Sequence, residues 1–154
     1  MGLIDFVKDA GEKIFGRGDA QAQIEQANSA AADAILRYIR TRKLDARDLQ
    51  VSFDAASATA SVFGVAPDQA THEKIVLCAG NIEGVAGVND MMTVERMAPE
   101  ARFYTVRPGD TLAGIARQFY GDVDGEQRIL DANRPLLDAA DRIYPGEKIR
   151  IPQP

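Results

Sequence analysis

The sequence has little of the residue types on which enzymes and metal sites most often depend. It contains one cysteine, one histidine and no tryptophan among 154 residues. A single cysteine, Cys78, excludes an internal disulfide, which fits a reducing compartment. One cysteine and one histidine, His72, are too few for a zinc site or a histidine-based triad. Cys78 also lies in the apolar run K-I-V-L-C-A, which indicates a buried, unreactive thiol. We therefore expect a protein that is not an enzyme.

Long hydrophobic runs and an excess of positive charge are also lacking. No stretch reaches the roughly 20 apolar residues of a transmembrane helix. The first residues do not have the basic start and uninterrupted apolar run of a secretory signal. The net charge of −5 argues against a large nucleic-acid interface, which needs clustered lysine and arginine. These absences predict a cytoplasmic protein without a nucleic-acid partner or a transmembrane segment.

The first sixteen letters, M-G-L-I-D-F-V-K-D-A-G-E-K-I-F-G, predict an amphipathic helix. Apolar side chains recur at spacings of three and four, with charged residues between them. Gly11 interrupts this helix, and the breaker cluster G-R-G-D-A follows as a linker. Packing against the rest of the chain is the commoner fate of such a helix, and the alternative is a position on a membrane surface.

The next region, residues 23–95, predicts the order α-β-β-α-β. A long helix is expected from Ile24 to Arg42, because alanine is frequent and apolar residues repeat at helical spacing (Ala27, Ala31, Ile35, Leu36, Ile39, Leu44). The stretch from Leu49 to Phe53 alternates apolar and polar residues, as a half-buried strand does. The polar turn D-A-A-S and a second strand complete a hairpin, which Gly64 is expected to end.

The second helix of this region is expected to begin at Pro67, with Asp68 in its first turn, and to end near Ala79. Gly80 and Asn81 would then form its C-terminal cap, because both residues tolerate positive φ angles. A third strand is expected around residues 85–94.

The last residues predict a separate β-α-α-β unit, with Asp110 or Thr111 as the N-cap of its first helix. The predicted fold class is therefore α+β, with two small domains and an N-terminal amphipathic helix. The predicted segments are 1–22 (helix and linker), 23–95 (first domain), 96–102 (linker) and 103–154 (second domain).

Two stretches of the sequence resemble known domain families. Y-T-V-R-P-G-D-T-L-A-G-I-A-R-Q-F-Y-G, with I-L-D-A-N-R-P and I-Y-P-G-E-K-I-R-I-P after it, resembles a LysM domain. Residues 23–95 resemble a BON domain, on the V-F-G-V pattern followed by a helix and G-N-I-E-G-V-A-G-V. The M-G-L-I-D-F-V-K-D-A-G-E-K start, then BON, then LysM, resembles a family of small cytoplasmic bacterial potassium-binding proteins over essentially the whole chain. The resemblance implies selective K⁺ binding by the BON part, with the LysM domain docking on it.

Backbone carbonyls can form a potassium site, because rings of carbonyl oxygens can replace the water shell of K⁺. Such a site needs a backbone that curls so that carbonyl groups converge, which favours glycine. Helix C-termini are also favoured, because their last carbonyl groups are unpaired and carry partial negative charge. V-K-D-A-G-E-K and A-G-N-I-E-G-V are two places of this kind. By resemblance together with this geometry, the expected ligands are the carbonyls of Val7, Ala10, Glu12, Gly80, Ile82 and Val85. The alternative interpretation is that Gly11 and Gly80 merely end two helices.

Other functions also remain open at this stage. LysM domains elsewhere bind N-acetylglucosamine in peptidoglycan or chitin, and a glycan would be expected on two loops (Gly109, Asp110, Thr111, Leu112; Ile143, Tyr144, Pro145). The same residues make turns and caps that the fold itself needs. A glycan-binding LysM domain would suit an envelope adaptor whose BON domain contacts phospholipid or protein. A scaffold that docks protein partners is a further alternative.

Our sequence-based prediction is a monomeric K⁺ sensor or buffer that compacts on binding the ion. A calcium site at D-V-D-G-E, residues 122–126, is disfavoured. Its glycine comes too early for an EF-hand loop, and no glutamate follows at the end of that loop.

Overall fold

The computed structural model describes residues 20–154, and the predicted N-terminal amphipathic helix lies outside the described residues. Helices and strands are mixed in an α+β fold, which confirms the predicted fold class. The elements in chain order are α1 (Ala20–Thr41), β1 (Arg47–Asp54), β2 (Thr59–Asp68), α2 (Gln69–Gly80), β3 (Gly87–Arg96), β4 (Arg102–Thr105), α3 (Leu112–Tyr120), a 3-10 turn (Val123–Gly125), α4 (Glu126–Asn133) and β5 (Lys148–Ile151).

The elements from α1 to β3 form what we call the first unit. Its sheet has the order β1-β2-β3, with β1 antiparallel and β3 parallel to the central strand. Helix α2 makes the crossover that a parallel pair requires. Both helices share one hydrophobic core with the sheet, built from Ala31, Ala32, Ile35, Ile39, Leu44, Leu49, Phe53, Ala60, Val62, Ile75, Cys78 and Ala79. Most of the apolar positions predicted for α1 lie in this core, although the helix begins at Ala20 rather than Ile24.

Strand β2 continues past Gly64, so the prediction that this glycine ends the strand was wrong. Gly64 has a φ of +139°, and a Cβ atom there would lie 3.0 Å from the carbonyl oxygen of Arg47. The register of β1 shifts between Arg47 and Gln50, which brings the backbone of β1 close to β2. Glycine at this position therefore lets the strand pass a β-bulge rather than stop at it.

The start of α2 differs from the sequence prediction, whereas its C-terminal cap lies where the sequence predicted it. Pro67 lies in β2 and the helix begins at Gln69, because Asp68 is the N-cap and its carboxylate accepts a hydrogen bond from the Thr71 amide at 2.7 Å. At the other end, Asn81 is the C-cap, as predicted, and its φ is −86°. The left-handed position falls instead at Gly84, with φ +96°.

The elements from β4 to β5 form the second unit. Strands β4 and β5 pair in an antiparallel two-stranded sheet, and α3 and α4 complete its core. Thr111 is the N-cap of α3, and its hydroxyl accepts a hydrogen bond from the Gly114 amide at 3.1 Å. Gly121, with φ +75°, ends that helix in the left-handed conformation. Between residues 20 and 154, no helix combines the length and the apolar character that crossing a bilayer requires.

Candidate functional site

Three of the six predicted carbonyl ligands lie in one turn, residues 80–86, which we call the helix-end turn. Its backbone is fixed at both ends: the Asn81 amide donates to the Leu77 carbonyl at 2.9 Å, and the Ala86 amide donates to the Ala58 carbonyl at 2.8 Å. The second bond ties the turn to the β1–β2 hairpin. The other three predicted ligands, Val7, Ala10 and Glu12, lie outside the described residues.

The three described carbonyl groups differ in their surroundings. The Ile82 carbonyl accepts a hydrogen bond from the Val85 amide at 3.1 Å, which leaves its second lone pair for another partner. The Ile82 side chain packs against the core of the first unit. Gly80 and Val85 line a cavity of about 510 Å³ whose other wall includes Phe103, Gly146 and Lys148. The helix-end turn therefore faces the second unit.

Asn81, inside the helix-end turn, is bonded to β5 of the second unit. Its side-chain amide donates to the Lys148 carbonyl at 2.9 Å, and its side-chain oxygen accepts from the Lys148 amide at 3.0 Å. Asn133 of α4 makes the same pair of bonds with the backbone of Arg150, at 2.8 and 2.7 Å. Two asparagine side chains thus pair with alternate residues of β5, as a neighbouring strand would.

A buried ion pair joins α2 and β5 a short distance away. The Arg150 Nε atom lies 2.7 Å from a carboxylate oxygen of Glu73, and both side chains are almost fully buried. The second carboxylate oxygen of Glu73 accepts from the amide of Ala101 and from the side chain of Gln69. The guanidinium also donates to the Ala132 carbonyl at 2.7 Å. Both charges are therefore hydrogen-bonded on several sides, as buried charges must be.

A third connection comes from the end of α1. The guanidinium of Arg42 donates to the carbonyls of Pro135 and Leu136, each at 3.0 Å, and the Leu136 side chain packs against the core of the first unit. Arg42 and Cys78 also line a groove of about 780 Å³ between the units. Burial raises the pKa of the Cys78 thiol to about 12, against a smaller opposing effect of Arg42. The thiol is therefore protonated at neutral pH and unsuited to nucleophilic chemistry.

Backbone hydrogen bonds join the chain just before one candidate glycan loop to the chain just after the other. The Gly146 amide donates to the Val106 carbonyl, and the Val106 amide donates to the Glu147 carbonyl, each at 2.8 Å. Tyr144 is 66% exposed, whereas the Leu112 side chain is 1% exposed and belongs to the core. Tyr144 and Pro145 line the same groove as Gly80 and Asn81. One of the two candidate glycan loops therefore borders the helix-end turn.

The remaining candidate glycan residues have roles in the fold itself. Gly109 has a φ of +87° and makes the turn before α3, whereas Thr111 caps that helix. Ile143 is partly buried against the core of the second unit. The Asp110 carboxylate accepts from the Tyr104 hydroxyl at 2.7 Å and from the Arg107 amide at 2.8 Å, and these two bonds hold its pKa below the usual value.

The acidic residues do not assemble a metal site in the part of the chain that is described. Residues 122–126 form a short turn, in which the Asp122 carboxylate accepts from the Asp124 amide at 3.0 Å. Within residues 20–154 there is no group of three or more histidine, cysteine, aspartate or glutamate side chains that could hold a metal ion.

The sequence analysis missed the residues that join the two units. Asn81 was assigned only a capping role, and Glu73 and Arg150 were not singled out at all. One signal was present: Arg150 stands between Ile149 and Ile151, which are both buried. A charged residue inside a short apolar strand often has a specific partner, but the sequence gives no way to tell which glutamate or aspartate it is.

Comparisons with known proteins agree with this architecture. Residues 104–152 match the LysM domain family. An uncharacterized protein of Deinococcus radiodurans is 45% identical over 49 residues, which is 32% of this chain and 19% of that protein. The uncharacterized protein YqbP of Bacillus subtilis is 36% identical over 59 residues, which is 32% of this chain and 27% of that protein. The chain is therefore an α+β protein that carries a LysM domain.

The similarity to a third relative extends over the whole chain. The potassium binding protein Kbp of Escherichia coli O6:H1 is 37% identical over 153 residues, which is 99% of this chain and 99% of that protein. The chain belongs to the Kbp family.

Proposed function

We propose that this protein binds K⁺ and acts as a potassium sensor or buffer. The observation that carries the proposal is the similarity over 99% of both chains to a protein named potassium binding protein Kbp. In this proposal the first domain is a BON domain at residues 23–95, preceded by an N-terminal helix and linker at 1–22. A linker at 96–102 leads to the LysM domain at 103–154, which docks on the BON domain.

The proposed ligands are the backbone carbonyls of Gly80, Ile82 and Val85, together with those of Val7, Ala10 and Glu12. The helix-end turn follows the C-terminus of α2, where the aligned peptide dipoles place partial negative charge. Gly80 and Val85 line one cavity, which supports a common ligand for these two residues. K⁺ would be drawn to this end of the helix without the help of a carboxylate cluster.

The proposed consequence of ion binding is a more compact chain. The helix-end turn contacts β5 through Asn81, so an ion that orders the turn also favours docking of the LysM domain. We propose a cytoplasmic monomer without catalytic activity, in which this change of shape is what a partner protein would detect.

A titration with matched salts tests the proposal. The ion-free protein is titrated with KCl and, separately, with NaCl at the same ionic strength, and heat and melting temperature are recorded. We expect a saturable response to K⁺ alone, and at 100 times the dissociation constant the ion should stabilise the fold by about 2.7 kcal/mol. Deletion of residues 1–13 should remove the response. Equal responses without saturation to both salts would indicate charge screening and would contradict the proposal.

Binding of N-acetylglucosamine polymers is the second candidate function, because residues 104–152 match the LysM domain family. The exposed Tyr144 is the side chain best placed to contact a sugar. Sedimentation with purified peptidoglycan tests this candidate, with Tyr144→Ala as the variant and Phe63→Ala as a control for an exposed aromatic residue on β2. Retention of the unmodified protein and loss by the Tyr144 variant alone would favour glycan binding. No retention of any form would exclude it.

A further inference from the structure

We infer that Asn81 is a positioning residue for the potassium site: by pairing with the backbone of Lys148, it holds the helix-end turn in the geometry that separates K⁺ from Na⁺. This inference rests on the proposed function, because it concerns the selectivity of that site. It assigns a role to one side chain that supplies no ligand itself.

The first step of the argument is the place of Asn81 in the chain. It stands between Gly80 and Ile82, two of the proposed carbonyl ligands. Its own amide is bonded to the Leu77 carbonyl, so its backbone cannot move without disturbing the end of α2. A force on the Asn81 side chain therefore acts directly on the peptide group that carries the Gly80 carbonyl. It reaches the Ile82 carbonyl through one further residue, because the Asn81 carbonyl is joined to the Ile82 amide.

The second step is the nature of its partner. Both hydrogen bonds of the Asn81 side chain go to backbone atoms of Lys148, at 2.9 and 3.0 Å. Lys148 pairs with Thr105 across the two-stranded sheet, and Arg150, two residues later in β5, is fixed by Asn133 and Glu73. The helix-end turn is thus attached to a strand that is itself anchored at several points.

The third step concerns selectivity. A carbonyl site can discriminate between K⁺ and the smaller Na⁺ in two ways. Either its oxygen atoms are held too far apart to contact the smaller ion, or the site fixes the number of oxygen atoms that coordinate the ion. A turn braced by two hydrogen bonds resists such a closure more than a free loop does. Loss of the two hydrogen bonds between Asn81 and Lys148 should therefore weaken K⁺ binding more than Na⁺ binding. The ratio of the two dissociation constants, and with it the selectivity for K⁺, should fall.

The coupling must also act in the opposite direction. If the hydrogen bonds between Asn81 and Lys148 strengthen K⁺ binding, bound K⁺ must stabilise those hydrogen bonds by the same factor. K⁺ should then slow hydrogen exchange of the Lys148 amide, because the proton of that amide is bonded to the Asn81 side chain. General stabilisation by K⁺ would slow exchange of the Lys148 and Arg150 amides alike, whereas a role for Asn81 predicts a larger effect at Lys148, since the Arg150 amide is bonded to Asn133.

Asn81→Ala in the full-length chain tests the inference, with Asn89→Ala as the matched control. Both asparagines are exposed, but Asn89 lies in β3, and its side chain donates to the Ser61 hydroxyl at 3.5 Å. Dissociation constants for K⁺ and Na⁺ are measured by calorimetry, and exchange of the Lys148 amide is measured by NMR with and without KCl. We expect Asn81→Ala to weaken K⁺ binding about tenfold, the effect of losing one to two net hydrogen bonds. The preference for K⁺ should fall, and the Lys148 amide should lose its K⁺-dependent protection.

The outcomes separate this inference from the proposed function. Equal K⁺ affinity and selectivity in Asn81→Ala and the unmodified protein would overturn the inference while leaving the proposed function intact. An equal loss of affinity for both ions would also overturn it, because the role would then be structural. Absence of K⁺ binding by the unmodified protein would overturn both. Asn89→Ala should behave as the unmodified protein throughout.

Discussion

Glu73 of α2 and Arg150 of β5 form an ion pair of 2.7 Å whose side chains are 4% and 8% exposed. It joins the two units in the interior, whereas the other ion pairs lie nearer the surface in the part of the chain that is described. Burying two charges is costly, so the pair is stable only because both groups have further hydrogen-bond partners. Removal of either partner leaves an uncompensated buried charge.

Breaking this ion pair should strongly destabilise the protein. We expect Arg150→Ala to lower the free energy of unfolding by about 3–5 kcal/mol, because the Glu73 carboxylate would remain buried without its counter-ion. The measurement is urea unfolding followed by circular dichroism. Arg47→Ala is the control, since Arg47 and Glu95 pair at 2.8 Å with both side chains about half exposed or more. Arg47→Ala should lower the free energy of unfolding by less than about 1 kcal/mol. An equal loss of unfolding free energy in Arg150→Ala and Arg47→Ala would contradict the claim that burial makes the Glu73–Arg150 pair sensitive to the loss of one partner.

Gly64 should be the least replaceable glycine of the first sheet. Gly64→Ala would place a methyl group 3.0 Å from the Arg47 carbonyl oxygen at a φ of +139°. We expect a loss of about 1–3 kcal/mol in thermal unfolding. Gly87→Ala is the matched control, because a Cβ atom at that position meets no heavy atom within 4 Å. Little change is expected there, and similar losses at both glycines would show that the β-bulge does not demand glycine.

The pKa of Asp110 should depend on Tyr104. The Tyr104 hydroxyl is the first cause of the lowered Asp110 pKa, followed by the Arg107 amide. Tyr104→Phe should therefore raise the Asp110 pKa toward its ordinary value, as measured by NMR titration of the carboxyl carbon. Tyr120→Phe is the control, since that hydroxyl donates to the Pro152 carbonyl and not to a carboxylate. An unchanged Asp110 pKa in the Tyr104 variant would show that the backbone bond alone holds it down.

The sign of the corresponding pH effect follows from the direction of this shift. Because the folded-state pKa of Asp110 lies below the value in the unfolded chain, its ionised form is favoured by folding. The stabilisation is fully present above the unfolded pKa and is lost as the pH falls through the folded pKa. In Tyr104→Phe this acid-dependent loss should become smaller.

The sequence predicted the order of elements well, because the apolar periodicity of each segment is local information. The stripe that includes Ala31, Ile35 and Ile39 is in the core, as its helical spacing indicated. The N-cap at Thr111 could be predicted for the same reason, because its hydrogen bond to the Gly114 amide joins residues only three apart in the chain. Features that depend on residues close together in the chain were therefore predictable.

The errors arose where a distant part of the chain decides the local conformation. Gly64 was expected to end a strand, but the bulge in β1 that demands glycine there was not visible in the sequence. Asn81 was expected only to cap α2, but its side chain is also bonded to β5, far along the chain. The ligands in the helix-end turn are carbonyl groups, which carry no residue signature, so only resemblance to a family could suggest them.

The central claim is that K⁺ binds to carbonyl oxygens of the helix-end turn, and carbonyl NMR tests it most directly. The full-length protein, labelled with ¹³C and ¹⁵N, is titrated with KCl and with NaCl at constant ionic strength. We predict that the carbonyl carbons of Gly80, Ile82 and Val85 shift together, saturate with K⁺ and respond far less to Na⁺. Saturable K⁺ binding by calorimetry without movement of these three carbonyl signals would place the ion elsewhere and would contradict the account.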